Sequence, residues 1–229
     1  ICKLKEVSEV LSTDQNIKWI ESYDISHHAG NNAVAGCVVY SEKGKEKKFY
    51  RSYNISKENS GNDIGSMVEV IERRFAPSNK KRLPDLMIID GGETHLKQVL
   101  TKLKKLKLNT INVISISKGV RRKSTFDSIH LQGGVKVDVN RHPSFSNFIQ
   151  EIRDETHRFA ITLQKRKARK STIKSSIDSL SGVGKVRKKS LIRYFGSIEQ
   201  LKRASIEDLT EVSGIGLNTA KSIFEELNN

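Results

Sequence analysis

The pattern of apolar and polar positions divides the first 164 residues into short β-type runs and segments of helical period. Runs rich in apolar, β-branched and aromatic residues predict five strands, at 17–24, 33–40, 49–55, 85–90 and 110–116. Short polar connections join the first three strands, which favours an antiparallel meander. A further hairpin is predicted around Gly133-Gly134.

Apolar stripes of helical period occupy the intervals between the later strands. They predict helices over residues 1–16, from Asp63, from Glu93, and from Ser144 through Leu163. The resulting order, three strands and then helix, strand, helix, strand, helix, is the layout of the ribonuclease H-like fold. We therefore predict an α/β ribonuclease H-like domain over 1–164, with a mixed five-stranded sheet packed against helices.

The last part of the chain contains an internal repeat. Leu180–Gly184 (LSGVG) and Val212–Gly216 (VSGIG) are 32 residues apart, and each precedes a helical segment. An apolar-x-Gly-apolar-Gly turn before a helix is the helix-hairpin-helix pattern, in which backbone N–H groups at the turn can face a phosphate. A single copy would also suit an ordinary turn between helices, but two copies on a basic chain favour duplex DNA. We predict a small all-α tandem helix-hairpin-helix domain over 177–229, with DNA contacts from Gly182, Gly184, Lys185, Gly214 and Gly216.

Positive charge is the strongest feature of the composition. The formal net charge is +15, and Lys165–Lys170 places five cations in six residues. An excess of this size indicates a polyanionic partner, most often nucleic acid, although a solvated basic surface is the simpler alternative. Residues 165–176 are predicted to form a basic linker between the domains, with the smaller domain mobile against the larger one.

Other compositional features narrow the class of protein. The chain has no apolar run near the ~18 residues that a membrane span needs, and no signal peptide is evident. Cysteines at 2 and 37 are too few for a disulfide framework or a cysteine metal cluster, which fits a reducing cytosol. Because the sequence does not begin with methionine, we expect it to be part of a longer protein.

Two predicted strands end on an aspartate. Asp24 closes the first strand, and Asp90 closes the fourth before Gly91-Gly92. Functional side chains collect at the carboxyl ends of strands in α/β sheets, so the pair predicts a metal site. A lone aspartate in such a place more often forms a turn or caps a helix, and Asp63 stands where an N-cap is expected.

Four sequence strings together resemble the C-terminal half of the bacterial UvrC excinuclease family. They are Tyr23–His27 (YDISH), Ile88–Gly92 (IIDGG), Ser117–Lys123 (SKGVRRK) and Ile152–Ala160 (IRDETHRFA). The basic run and the doubled hairpin motif follow in the family's order, so the resemblance extends from about residue 17 to the end.

This resemblance implies an endonuclease that nicks DNA 5′ to a bulky lesion in nucleotide excision repair, a process of the bacterial SOS response. Carried over by motif, Asp24, Asp90 and His157 would be the catalytic residues. Asp24 and Asp90 would hold Mg²⁺ or Mn²⁺, and His157 would either bind the metal as well or shuttle a proton, between which the sequence does not choose. Asp63 corresponds to a further acidic position of the family. His27 would contact the metal ligands and support them without binding the ion. By itself, His157 on a helix would more often be a packing or capping histidine.

The resemblance also implies the partners. The substrate would be double-stranded DNA, including bubble or damaged DNA, and UvrA and UvrB would be partners of the longer protein. The family's UvrB-binding segment and its nuclease domain for the 3′ nick have no counterpart in this sequence. Substrate phosphates near the cut would be contacted by Lys118, Arg121, Arg122 and Lys123, for which a solvated loop is the alternative. Arg158 would either position the scissile phosphate or pair with an acid.

Two other classes of function stay open from the residues alone. The first is a DNA-binding module without catalysis, which would not need Asp24, Asp90 and His157. The second is a metal-dependent phosphatase or phosphotransferase for small molecules, which would not need the net charge of +15 or a module for the DNA backbone. Gly91-Gly92 is not a dinucleotide-binding fingerprint, because no third glycine follows at the required offset.

Overall fold

The structure is a computed structural model, and it describes residues 2–27, 33–79, 82–117, 128–178, 180 and 183–228. The chain forms two compact units, Ile1–Gln164 and Lys165–Asn229. No helix in the described ranges is long and apolar enough to cross a membrane.

The first unit is built on one mixed sheet. Its strands are β1 (Trp19–Ser26), β2 (Val34–Ser41), β3 (Gly44–Lys45), β4 (Arg51–Asn54), β5 (Leu86–Asp90), β6 (Asn112–Ser117), β7 (Ser128–His130) and β8 (Lys136–Val137). The order is β3-β2-β1-β5-β6-β7-β8, with β4 also paired to β2. β1, β5 and β6 run parallel to one another, and the other pairings are antiparallel.

The predicted fold class is confirmed, but the number of strands was wrong. The sheet has eight strands instead of five. Two of the three additional strands, β7 and β8, pair antiparallel and form the hairpin predicted around Gly133-Gly134. The third, β3, is two residues long. Runs this short carry no readable alternation of apolar and polar residues. The third predicted strand also begins later than expected, because Lys47–Phe49 forms a 3-10 turn before β4.

Four helices complete the first unit and lead out of it. They are α1 (Cys2–Val10), α2 (Asp63–Arg74), α3 (Glu93–Lys105) and α4 (Pro143–Asp178). α1 is shorter than the predicted segment 1–16, since Ser12 turns the chain with a positive φ of 48°. α4 continues past the predicted end at Leu163, so the basic segment 165–176 is helical.

Alternation along β1 sends side chains to two separate cores. Trp19 and Tyr23 lie in the core under α2 and α3, with Met67 and Val99. On the other face, Ile20 packs in a second core with the α4 residues Phe145, Phe148, Ile149 and Ile152. Burying each of these α4 side chains contributes about 2–3 kcal/mol. This packing fixes α4 against the face of β1 on which Asp24 stands.

The α2-side core contains a charged cluster that the sequence pattern did not predict. Glu21 is fully buried and accepts hydrogen bonds of 2.9 Å from Nε and Nη2 of Arg74, which is also fully buried. Arg51 adds an Nη1 contact of 2.9 Å, and the hydroxyl of Tyr23 donates to Glu21 at 2.5 Å. Charges are buried in proteins only when they are paired in this way. The cluster ties β1 to β4 and to the end of α2.

The second unit begins within α4, at Lys165. Four further helices of this unit pack around a core of their own. They are α5 (Lys185–Phe195), α6 (Ile198–Arg203), α7 (Ile206–Thr210) and α8 (Leu217–Asn228). Their apolar faces meet in a cluster that includes Leu191, Leu209, Ala220 and Ile223. α5 ends at Gly196 in the left-handed conformation, and α7 begins with a capping box formed by Ser205 and Asp208. The tandem helix-hairpin-helix prediction is confirmed in its helical layout.

Candidate active site and nucleic-acid surface

Strand register brings the two predicted aspartates together. β1 and β5 are parallel neighbours in which Tyr23 pairs with Ile89. Asp24 and Asp90, the next residues, therefore lie side by side at the same edge of the sheet. Asp90 ends β5 as predicted, whereas β1 continues two residues past Asp24 to Ser26.

An open cavity of about 250 Å³ lies at this edge. Three predicted acids, Asp24, Asp63 and Asp90, contribute to its wall. The other lining residues are Ile25, Gly91, His95, Ile116 and Ser117. The structure therefore places the acidic residues from β1, α2 and β5 around one space.

His157 reaches the site from α4. Its Nδ1 lies 2.8 Å from Oδ2 of Asp24. The histidine lines a smaller neighbouring space of about 10 Å³ that Asp24 and Asp90 also line. One residue earlier, the buried hydroxyls of Thr156 and Ser22 are hydrogen-bonded to each other at 2.8 Å, and Thr156 donates its proton to the carbonyl of Ile152. The Thr156–Ser22 hydrogen bond sets the register of α4 on β1 and so brings His157 to Asp24.

The electrostatics of the acidic pair suit a cation. Burial raises the pKa of Asp24, and the charge of Asp90 raises it further, while the hydrogen bond with His157 opposes both effects. The negative field of two carboxylates at one cavity is what a divalent cation would offset. Mg²⁺ binds one or two carboxylates and keeps several waters, so Asp24 and Asp90 fit it as a donor set. Among the described residues, no group of three or more His, Cys, Asp or Glu side chains is arranged so that it could hold a metal ion.

Asp63 does not cap its helix. The N-cap of α2 is Asn62, whose side chain accepts from Gly65 N at 2.9 Å, and Asp63 is the first helical residue. The carboxylate of Asp63 instead contacts His27 Nε2, and its side chain is 62% exposed. His27 thus meets the site through Asp63, which stands at the open side of the cavity.

Two residues near the acids were missed by the sequence-based prediction. Arg153 on α4 places Nε 3.5 Å from Oδ1 of Asp90. It precedes His157 by four residues, and this spacing puts both side chains on one face of a helix, a signal that could have identified it. His95 on α3 lines the cavity and has a buried Nδ1 without a hydrogen-bond partner among the described residues. Its position one turn into the helix after Asp90 was the available signal.

Arg158 is paired with an acid. Its Nη2 and Nε lie 2.7 and 3.0 Å from the carboxylate of Glu155, which also accepts from Tyr50 and Lys45. The hydrogen bonds from Arg158 hold the pKa of Glu155 at about 2. The predicted phosphate contact of Arg158 stays a prediction. The basic residues Lys118, Arg121, Arg122 and Lys123 lie outside the described residues, as does Gly182.

The hairpin glycines fall into two kinds. Gly214 has a φ of +85°, a conformation that only glycine adopts without strain. Gly184 and Gly216 precede α5 and α8, and their carbonyls accept the first helical hydrogen bonds, from Lys188 N and Ala220 N. A Cβ added at Gly184 or Gly216 would meet nothing within 4 Å. Both glycines therefore leave the backbone open to a ligand at a helix N-terminus.

Charge differs between the two hairpins. α5 carries five cations, Lys185, Arg187, Lys188, Lys189 and Arg193, and no acid. α8 carries Lys221 together with Glu225 and Glu226. Lys185, at the start of α5, is exposed. The first hairpin is thus the more cationic of the two predicted phosphate sites.

Comparison with known proteins gives matches over the whole chain. The UvrC RNase H endonuclease domain family matches residues 8–161, and the SAM-like helix-hairpin-helix tandem family matches residues 175–229. The UvrABC system protein C of Desulfatibacillum aliphaticivorans is 39% identical over 98% of this chain and 38% of its own length. The same protein of Pseudomonas fluorescens is 34% identical over 99% of this chain and 38% of its own length.

Solved structures give weaker matches. A Ciona intestinalis endonuclease V in complex with DNA has 16% identity and a TM-score of 0.34, over 51% of this chain and 56% of that one.

The chain spans 38% of the length of the two curated relatives described above. Since the matched endonuclease-domain family covers more than half of the sequence and a helix-hairpin-helix match follows it, the chain belongs to the UvrC family.

Proposed function

We propose that this chain is a metal-dependent DNA endonuclease that makes the 5′ incision beside bulky lesions in nucleotide excision repair. The observation that carries the proposal is the meeting of Asp24 and Asp90 at one cavity, with His157 hydrogen-bonded to Asp24. Membership of the UvrC family supports the same reaction. The bacterial cytoplasm is the proposed compartment, and UvrA and UvrB are the proposed partners of the longer protein.

In the proposed mechanism, Asp24 and Asp90 would hold Mg²⁺ or Mn²⁺, His157 would bind the ion as well or move a proton, and Asp63 would assist from the open side. The ion would neutralise the scissile phosphate and lower the pKa of a bound water. Because Nδ1 of His157 is engaged by Asp24, its Nε2 is the nitrogen left to bind the ion or to move a proton. Asp24 orients this ring, and the Thr156–Ser22 hydrogen bond keeps the pair in register.

The second unit would hold the duplex. Backbone N–H groups at Gly184 and Gly216, with Lys185, would contact phosphates. Such contacts position the duplex without reading its sequence, which suits an enzyme that acts at lesions in any sequence. The open space around both glycines is the observation that supports this assignment.

A strand-cleavage assay tests the proposal. Duplex DNA with a short unpaired bubble, labelled on either strand, is incubated with the chain and Mn²⁺, Mg²⁺ or excess EDTA. We expect a nick on the 5′ side of the bubble with either metal, and intact strands with EDTA. Salt-sensitive binding without any nick would contradict the proposal and favour the second candidate, a DNA-binding module without catalysis, which the hairpin geometry supports by itself.

The two kinds of hairpin glycine give a separate prediction. Gly216→Ala is expected to weaken duplex binding about tenfold, because the new methyl group fills the space where a phosphate would approach. Its free energy of unfolding should change by less than about 1 kcal/mol. Gly214→Ala, the matched change two residues away, should instead lose about 1–3 kcal/mol, because its φ is +85°. Fluorescence anisotropy and urea unfolding measure the two effects, and parental DNA affinity in Gly216→Ala would exclude a phosphate contact there.

A further inference from the structure

One face of α4 supplies a cationic or hydrogen-bonding partner to both Asp24 and Asp90. His157 Nδ1 contacts Asp24 at 2.8 Å, and one turn earlier Arg153 Nε lies 3.5 Å from Asp90 Oδ1. The Arg153 side chain is only 17% exposed, and it lines the small space between the two acids and the helix. The contact with Asp90 is therefore made inside the site.

We propose that Arg153 is a positioning residue that acts as a built-in competitor for the divalent cation at Asp90. The proposal rests on the metal-dependent activity proposed above. A guanidinium beside Oδ1 restricts rotation of the carboxyl group and so holds its direction relative to Asp24. The same positive charge reduces the attraction of Asp90 for a second cation at the cavity.

These two effects act in opposite directions on measurable quantities. Holding Asp90 in place favours the productive arrangement of the acids, so loss of Arg153 should slow cleavage. Relieving the competing charge should make divalent cations bind more tightly when DNA is absent. Shortening a residue that only packs α4 against the sheet would not strengthen metal binding. Tighter metal binding would therefore distinguish a competing charge from a packing role.

Competition between Arg153 and the divalent cation would also make metal binding depend on whether the DNA substrate is present. A phosphodiester that enters the cavity brings negative charge, which offsets the positive charge of Arg153. Metal should therefore bind the parent more tightly when DNA is present. This dependence on DNA should shrink when Arg153 is replaced by an uncharged residue, because the part of the coupling that comes from neutralising the Arg153 charge is then lost.

The experiment measures the Mn²⁺ dissociation constant of the full chain without DNA, by electron paramagnetic resonance of free Mn²⁺. We expect Arg153→Gln to bind Mn²⁺ tighter on the order of threefold or more, and to nick about tenfold more slowly at saturating Mn²⁺. Arg141→Gln is the matched control, because it removes one charge from an 82% exposed side chain that pairs with Asp138. Its Mn²⁺ affinity should equal that of the parent.

Arg153→Lys keeps the test decisive if the glutamine variant does not fold. Lysine retains the charge but lacks the planar fork of donors, so Mn²⁺ affinity should stay near the parental value while cleavage slows. Unchanged or weaker Mn²⁺ binding by a folded Arg153→Gln variant would overturn the competitor role, even if the parent nicks DNA. A parent that neither nicks DNA nor binds Mn²⁺ would overturn the proposed function and this proposal together.

Discussion

Asp24→Ala is expected to lower the rate of metal-dependent nicking about a thousandfold, equal to about 4 kcal/mol of transition-state stabilisation. The substitution removes one of the three carboxylates that line the cavity and also the hydrogen bond that orients His157. The measurement is single-turnover cleavage of the bubble duplex at saturating Mn²⁺. Duplex affinity should be close to that of the parent, since the predicted hairpin contacts are unchanged.

The stability of this variant distinguishes a functional acid from a structural one. Burial and the charge of Asp90 raise the pKa of Asp24. The ionised carboxylate therefore costs folding free energy at neutral pH, and its removal should not lower the melting temperature. Asp154→Ala is the control, because Asp154 is an exposed α4 residue that accepts a hydrogen bond from Gln150. Equal nicking by the parent and Asp24→Ala would show that the site lies elsewhere.

The sequence predicted those parts of the fold that depend on long periodic segments. The apolar run of β5 and the stripe of α3 were placed within one or two residues of their observed bounds. The short strand β3 was missed because two residues form a strand only through their tertiary pairing. The length of α4 was also missed, since its cationic second half resembles a solvated linker in composition.

The residues of the candidate site also differ in whether the sequence alone could identify them. Asp24 and Asp90 could be predicted because each follows an apolar run, and parallel register brings such ends together. His157 needed the family resemblance, because no local pattern separates it from a packing histidine. Arg153 and His95 had signals in the sequence, but their positions beside the acids depend on how α4 and α3 pack at the ends of β1 and β5.

Arg74→Met is expected to lower the free energy of unfolding by about 3–5 kcal/mol, the largest effect on stability that we predict. Methionine keeps much of the packing volume but leaves Glu21 buried without two of its hydrogen bonds. Arg73→Met is the matched control one residue earlier. Arg73 pairs with Glu69 at the surface at 3.2 Å, with its side chain 45% exposed, and its loss should cost no more than about 1 kcal/mol. Urea unfolding at neutral pH compares the two variants.

The dependence of stability on pH tests whether the loss in Arg74→Met comes from the unpaired charge of Glu21. Burial alone would raise the pKa of Glu21, but the hydrogen bonds and charge of Arg74, with help from Tyr23 and Arg51, lower it below the ordinary value of 4.5. An acid with a lowered pKa in the folded state contributes stability above its unfolded pKa, and this contribution is lost as the pH falls. The parent should therefore lose stability below about pH 4.5 more steeply than Arg74→Met, and the difference between them should narrow. A difference that stays constant as the pH falls from neutral through this range would instead attribute the loss to packing around Arg74, because packing does not depend on the protonation of Glu21.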